Sequence, residues 1–145
     1  MGDISKDIQS TFPNEWVKAL INIRYTSNWL GNLSEKKFTE FGISSQQYNV
    51  LRILRGAKKA IKVSDVKDRM IEKTPNTTRL MDKLCVKEFI KRARCDSDRR
   101  AVYVEITKKG LELLKNIPTK DDMKYLSNLT EGEAKVLNKL LDKVR

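Results

Sequence analysis

A mainly α (α+β) chain built around a winged helix-turn-helix, with further helices at both ends, is the fold class that this 145-residue sequence predicts. Three observations carry it. A short helical run, Lys-Val-Ser-Asp-Val-Lys-Asp-Arg-Met at 62–70, is followed after a brief break by a second, Thr-Pro-Asn-Thr-Thr-Arg-Leu-Met-Asp-Lys-Leu at 74–84. A charged hairpin comes next, with Asp-Ser-Asp-Arg-Arg-Ala-Val-Tyr-Val-Glu-Ile-Thr at 96–107. Long amphipathic stretches flank this segment on both sides.

Composition bounds the function. With 39% hydrophobic and 34% charged residues, the chain has single-domain length and enough apolar material for a core. No apolar run approaches the roughly 20 residues needed to cross a bilayer. The N-terminal Met-Gly-Asp-Ile-Ser-Lys has no signal-peptide core, and Lys6 stands where a myristoylation motif wants Ser or Thr. A cytoplasmic protein without membrane partners is expected. The net charge of +11 and pI near 9.7 fit a polyanion binder, although charge alone fits a solvated basic surface equally well.

Catalysis and metal binding find little support. There is no histidine, so no Ser-His-Asp or Cys-His constellation can form, and the two cysteines, Cys85 and Cys95, have neither zinc nor scaffold spacing. The six glycines form no phosphate-cradling loop. Carboxylates alternate with Lys and Arg at helical spacing, as solvated i,i+4 pairs do. The expectation is a non-enzyme with no cofactor and no metal.

Taken in order, a first long helix runs from about Pro13 to Lys37, with Pro13 in its first turn. Trp16, Leu20, Ile23, Leu30 and Leu33 recur at three- and four-residue intervals, and Val17, Ile21 and Tyr25 widen the stripe. So broad a face exceeds what one small lobe buries, which points to a second copy of the chain. Ser44 caps the next helix with Gln47 completing a capping box; Tyr48, Leu51 and Leu54 face inward and Gly56 closes it. Ile61 and Val63 make a short extended piece, and Ser64 opens a third helix that buries Val66 and Met70.

The fourth helix is the candidate reader. Thr74 is its expected cap and Pro75 its first-turn residue. Thr77, Leu80, Met81 and Leu84 fall on the core side, leaving Pro75, Asn76, Arg79, Asp82 and Lys83 outward with Thr78 on the flank. Asn, Arg and Thr are the types that pair with adenine, guanine and thymine methyl or phosphate groups. An ordinary solvated helix face would look the same, so the hairpin decides. Phe89–Arg94 and Ala101–Ile106 read as strands, the second with Val102, Val104 and Ile106 on one face, around a polar turn at 95–100. Basic side chains on such a tip reach a minor groove while the helix occupies the major groove. Thr107 then caps another helix that tolerates Gly110.

At these residues the sequence from about Gly42 to Leu114 resembles the MarR family of bacterial winged-helix transcription regulators. Asp98-Arg99-Arg100 is similar to the family's D-x-R wing signature, running into Ile106-Thr107-Lys108-Lys109-Gly110 for its "L-T-x-x-G" segment, and Arg79–Leu84 matches the recognition-helix pattern. The resemblance implies Arg100 as the wing arginine braced by Asp98, with Asn76, Thr78 and Arg79 meeting the major groove. It implies a homodimer on pseudo-palindromic double-stranded DNA, commonly a repressor released by a small phenolic ligand or by oxidation. Three departures stand out. Glu88 replaces a usual Gly, which demands another C-cap or a left-handed residue; Thr77 replaces an aliphatic core residue; and no cysteine lies on the first helix, so a structural role is expected for both Cys85 and Cys95, with a redox switch open only for Cys95.

The chain ends in a helix capped by Thr130 and Glu133, with Val136, Leu137, Leu140, Leu141 and Val144 in one stripe, after a break at 117–120 and a short helical piece near 121–126. The expected organisation is one unit, 1–145, with a DNA-binding lobe at 42–114 and dimerisation helices at 12–40 and 115–145. Two recognition helices would then sit roughly 34–36 Å apart on successive major grooves. The expected DNA-binding set is Thr74, Pro75, Asn76, Thr78, Arg79, Lys83, Arg94, Asp98, Arg99 and Arg100, with Lys73, Lys91, Arg92, Arg94 and Arg99 mostly on phosphates. Trp16, Tyr25, Trp29 and Tyr48 are candidates to line a crevice for an aromatic effector, although aromatics at helical spacing are usually core. The competing readings are a winged-helix protein-interaction module without specific DNA binding and a dimerisation domain cut from a larger enzyme.

Overall fold

The structure, a computed structural model, describes residues 2–73, 75–93, 101–119 and 124–145. A short helix, α1 (Ile4–Asp7), which the sequence reading does not anticipate, starts where Asp3 accepts the Ser5 N–H at 3.0 Å. The long helix α2 spans Glu15–Thr39. Its cap is Asn14, whose Oδ1 accepts the Val17 N–H at 3.0 Å, so Pro13 precedes the cap rather than occupying the first turn. Of its many apolar residues only Phe38 is buried; Trp16 is 82% exposed, and Leu20, Ile23, Tyr25 and Trp29 also face outward.

A turn through Gly42, in the left-handed region at φ 70°, leads to α3 (Ser45–Ala57). The capping box is formed: Ser44 Oγ accepts the Gln47 N–H at 3.1 Å and Gln47 Oε1 accepts the Ser44 N–H at 3.0 Å. The helix passes through Gly56 and stops at Lys58, which itself takes the left-handed conformation at φ 55°. Gly56 is therefore an interior residue and not the terminator. Two residues of β1 (Ile61–Lys62) follow, then α4 (Val63–Arg69), which begins one residue earlier than Ser64 because Val63 is already helical. Its Val66 is fully buried and Met70 lies in the core just beyond it.

The second helix of the helix-turn-helix is α5 (Thr77–Val86). It starts later than the Thr74–Pro75 signal suggests: Asn76 holds the cap position and Pro75 lies in the turn before it. The end of α5 is a Schellman motif, with the Phe89 N–H bonded to the Leu84 carbonyl at 3.0 Å and the Glu88 N–H to the Cys85 carbonyl at 2.9 Å. The residue that turns left-handed is Glu88, at φ 60°, in the position where glycine is usual.

The wing strands β2 (Ile90–Ala93) and β3 (Tyr103–Ile106) pair antiparallel, and β1 adds to the other side of β3, giving a three-stranded sheet in the order β1-β3-β2. The register sets Lys91 opposite Glu105 and Ile61 opposite Val104. Thr107 then caps α6 (Lys108–Asn116), and Thr130 with Glu133 forms the capping box of α7 (Glu131–Val144).

One core holds the lobe together. Val50, Leu51 and Leu54 of α3 pack with Met81 and Leu84 of α5, Val66 of α4, Ile90 and Val104 of the sheet and Leu114 of α6. Only Phe38 joins from α2, and α7 buries no residue, so Val136, Leu137, Leu140 and Val144 lie exposed. Among the described residues no helix is long and apolar enough to cross a membrane.

Candidate nucleic-acid interface

The candidate reader α5 is amphipathic in the way the sequence demands. Thr77, Met81 and Leu84 are buried and Leu80 is half-buried, while Thr78, Arg79, Asp82 and Lys83 are exposed. Pro75 and Asn76, in the turn at its start, are also exposed. The buried side acts as a clamp: with Met81 and Leu84 locked in close-packed surroundings, the polar side cannot rotate away from solvent. Thr77 takes a core place at 2% exposure, and no described buried side-chain oxygen or nitrogen is left without a partner.

Of the expected DNA contacts, Thr78, Arg79 and Lys83 thus share the exposed face of α5, and Pro75 and Asn76 the exposed turn at its start. Thr74, Arg94, Asp98, Arg99 and Arg100 lie outside the described residues, as does Cys95. Lys73 is exposed before the turn. Two residues expected to meet phosphates each face a carboxylate: Arg92 forms an ion pair with Asp82 of α5, and Lys91 bonds Glu105 across the sheet at 2.8 Å. The first pair fastens the reader to the wing strand. Cys85 is a half-buried free thiol packed against the core.

The sequence reading overlooks a cleft of about 320 Å³ between α4, α5 and the root of the wing. Lys62, Ser64, Thr78 and Arg92 supply its polar groups and Met81, Val102 and Val104 its apolar wall. Nothing local in the sequence signals it, because its walls come from four separated segments joined by the β1-β3 pairing and the Val63 N–H bond to the Val102 carbonyl at 2.9 Å. The four aromatic candidates do not line it. Tyr48 is buried and stacked on Phe38 with ring centroids 4.1 Å apart, Trp29 meets Tyr125 edge-on at 6.1 Å, and Trp16 and Tyr25 are exposed on α2.

The Lys109 ammonium, hydrogen-bonded to the Glu88 carboxylate at 2.9 Å, holds that carboxyl below its usual range.

Comparison with known proteins places this geometry. The family model described as transcriptional regulator SarA/Rot matches residues 32–117, more than half of the chain. An HTH-type transcriptional regulator of Bacillus subtilis, YfiV, is 33% identical over 104 residues, which cover 72% of this chain and 63% of that protein. The HTH-type transcriptional regulator MgrA of Staphylococcus aureus is 29% identical over 112 residues, 77% of this chain and 76% of MgrA. Among solved structures, a cysteine-to-serine mutant of MarR from E. coli complexed with operator DNA superposes with a TM-score of 0.81 at 25% identity, covering 93% of this chain and 99% of that one.

Proposed function

Because the chain belongs to the MarR/SarA family of winged helix-turn-helix transcriptional regulators, we propose that it is a sequence-specific repressor that binds a pseudo-palindromic DNA site as a homodimer. The observation that carries this reading is the single polar face formed by Asn76, Thr78, Arg79 and Lys83 on a helix whose other side is locked in the core. Those side chains have the donor and acceptor types that read base edges in a major groove. The charge of +11 supports it through phosphate attraction.

The homodimer is supported by the apolar faces left open at the two ends of the chain. Trp16, Leu20 and Ile23 on α2 and Val136, Leu137, Leu140 and Val144 on α7 are all exposed large hydrophobic residues. Apolar surface on this scale is characteristic of an interface rather than of a solvated helix.

An effector reading also has an observation behind it. The cleft between α4, α5 and the wing has an apolar wall with a few polar groups, as small-molecule sites do, and the Lys62 ammonium at its edge suits an aromatic acid or phenolate. A ligand there would touch Thr78 and Arg92, so occupancy and DNA binding would compete.

Selection from a randomised duplex pool, joined to a salt series on random DNA, tests the main reading. An inverted repeat should emerge, Arg79→Ala should lose about 1–3 kcal/mol of discrimination at particular base pairs, and Lys73→Ala should weaken all sequences alike. Weak binding with no consensus would favour the protein-interaction module instead.

A further inference from the structure

The cations of this chain are not gathered on the reader alone. From Phe41 to Ser64 the sequence holds Arg52, Arg55, Lys58, Lys59 and Lys62 and no Asp or Glu. Arg52, Arg55, Lys58 and Lys59 are exposed, on the outer side of α3 and in the turn that follows it. No described carboxylate forms an ion pair with any of these four. Arg52 lies over the Tyr48 ring, 5.9 Å from its centroid, which steadies the side chain and leaves its charge unneutralised. By helical rise the strip from Arg52 to Lys59 is about 10 Å long.

The strip belongs to a helix that carries none of the expected DNA contacts, and the sheet register fixes where its end lies. Ile61 stands opposite Val104 and Lys62 opposite Tyr103, so the residues before Ile61 run toward Ile106 at the wing root. That is away from the Ala93–Tyr103 end, where the two wing strands run out. The helix dipole accounts for a cation in the last turn, where Arg55 lies, but not for Lys59 beyond the cap or for so long a run without a carboxylate. Lys58 is moreover left-handed at φ 55°, where glycine would be the less strained residue.

We propose that Arg52, Arg55, Lys58 and Lys59 form a second, sequence-independent phosphate-binding surface that holds another duplex segment while the reader holds its site. The inference rests on the DNA-binding reading above. Protein interfaces are anchored by apolar and aromatic side chains and are poor in lysine. No large apolar side chain between Leu30 and Met70 is exposed, so the strip offers a protein partner little beyond charge. Phosphates ask only for exposed cations, and each one engaged releases counterions, so binding at the strip should be steep in salt and blind to sequence.

The test loads the full chain on a bead-tethered duplex just long enough for the selected site, and measures capture of a second, labelled random duplex. Two variants are compared with wild type: Arg55→Gln, Lys58→Asn and Lys59→Gln combined, in which Asn suits the left-handed position, and Arg52→Gln alone. At about 0.15 M salt the combined variant should capture at least about fivefold less duplex than wild type, with a log–log salt slope lower by about 2–3. Its affinity for the short site should change by less than about twofold, because charges beyond a Debye length are screened. Arg52→Gln should lower capture by a smaller factor, which keeps the question answerable if the combined variant folds poorly. No capture by wild type, or equal capture by wild type and both variants, would overturn the inference and leave the DNA-binding reading in place. So would an equal loss of short-site affinity, which would put the strip on the site's own duplex. Capture of labelled poly-glutamate in preference to duplex would overturn it in favour of an acidic protein. Failure of the wild-type chain to select any site would overturn the reading and the inference together.

Discussion

Replacing Gly110 by alanine measures how firmly the wing is fastened to the helix behind it. A Cβ at 110 would stand 2.3 Å from the Phe89 carbonyl oxygen and 2.8 Å from Ile106 Cγ1. Ordinary carbon–oxygen contacts lie near 3.3–3.6 Å, so either α6 or the first turn of the wing must shift by about 1 Å. The carbonyl has little freedom to move, because it accepts the Thr107 N–H at 3.0 Å while the Thr107 hydroxyl donates to the neighbouring Glu88 carbonyl at 2.7 Å. Overpacking costs about 1–3 kcal/mol, and each strained hydrogen bond about 1 kcal/mol. Alanine's helix preference offsets about 1 kcal/mol, which leaves a net loss of about 2–4 kcal/mol. Thermal unfolding followed by circular dichroism should show a Tm lower by roughly 5–15 °C. Gly56→Ala is the matched control, since a Cβ there meets nothing within 4 Å and Gly56 is interior to α3; its Tm should rise by about 2–4 °C. A Gly110→Ala protein that melts at or above the wild-type temperature would refute the close-approach argument.

Other expectations follow from the same geometry. Glu88→Gly removes a left-handed non-glycine residue and should raise Tm by about 2–4 °C despite loss of the exposed Lys109 pair; a lower Tm would show that the pair outweighs the backbone strain. Glu133, whose carboxylate accepts from the Thr130 N–H at 2.8 Å, ionises below its usual 4.5, so its contribution is present above that value and fades as pH falls through the lower folded value. Acid titration of unfolding should accordingly show a shallower loss of stability below about pH 4.5 in Glu133→Gln than in wild type. Leu140→Asp places a charge in the open apolar stripe of α7 and should convert a dimer to monomer in light scattering; an unchanged mass would move the interface elsewhere.

Much of this architecture is local and therefore legible in the sequence. The Ser44/Gln47 and Thr130/Glu133 capping boxes form as spaced, and the core side of α5 follows from its 3.6-residue period. What is not legible depends on distant partners. The start of α5 is displaced from Thr74–Pro75 to Asn76–Thr77 while Asn49 and Gln46, more than twenty residues earlier, bond the segment before it. Gly56 looks like a terminator, yet α3 continues to Ala57, with Lys58 turning the chain toward the β1 pairing with β3. Gly110 looks merely tolerated until Phe89 is seen against it. That Lys91 and Arg92 each face a carboxylate depends on the sheet register and the α5–β2 approach, which set Glu105 and Asp82 beside them.

The Asp82–Arg92 pair also bears on which cations of this protein would supply the attraction to DNA. A cation that must first give up a carboxylate gains less on reaching a phosphate than an unpaired one, so Arg92 and Lys91 should each add less than a full share to the salt exponent, about 0.9 per phosphate neutralised. Were Arg92 to leave Asp82 for a phosphate, a bare carboxylate would face a polyanion, a repulsive arrangement. The pair thus works as a self-screened latch whose two charges already cancel within the formal +11. On the proposed reading, discrimination profits, since what is withheld from the indiscriminate contribution leaves a larger fraction of the binding energy to Asn76, Thr78 and Arg79.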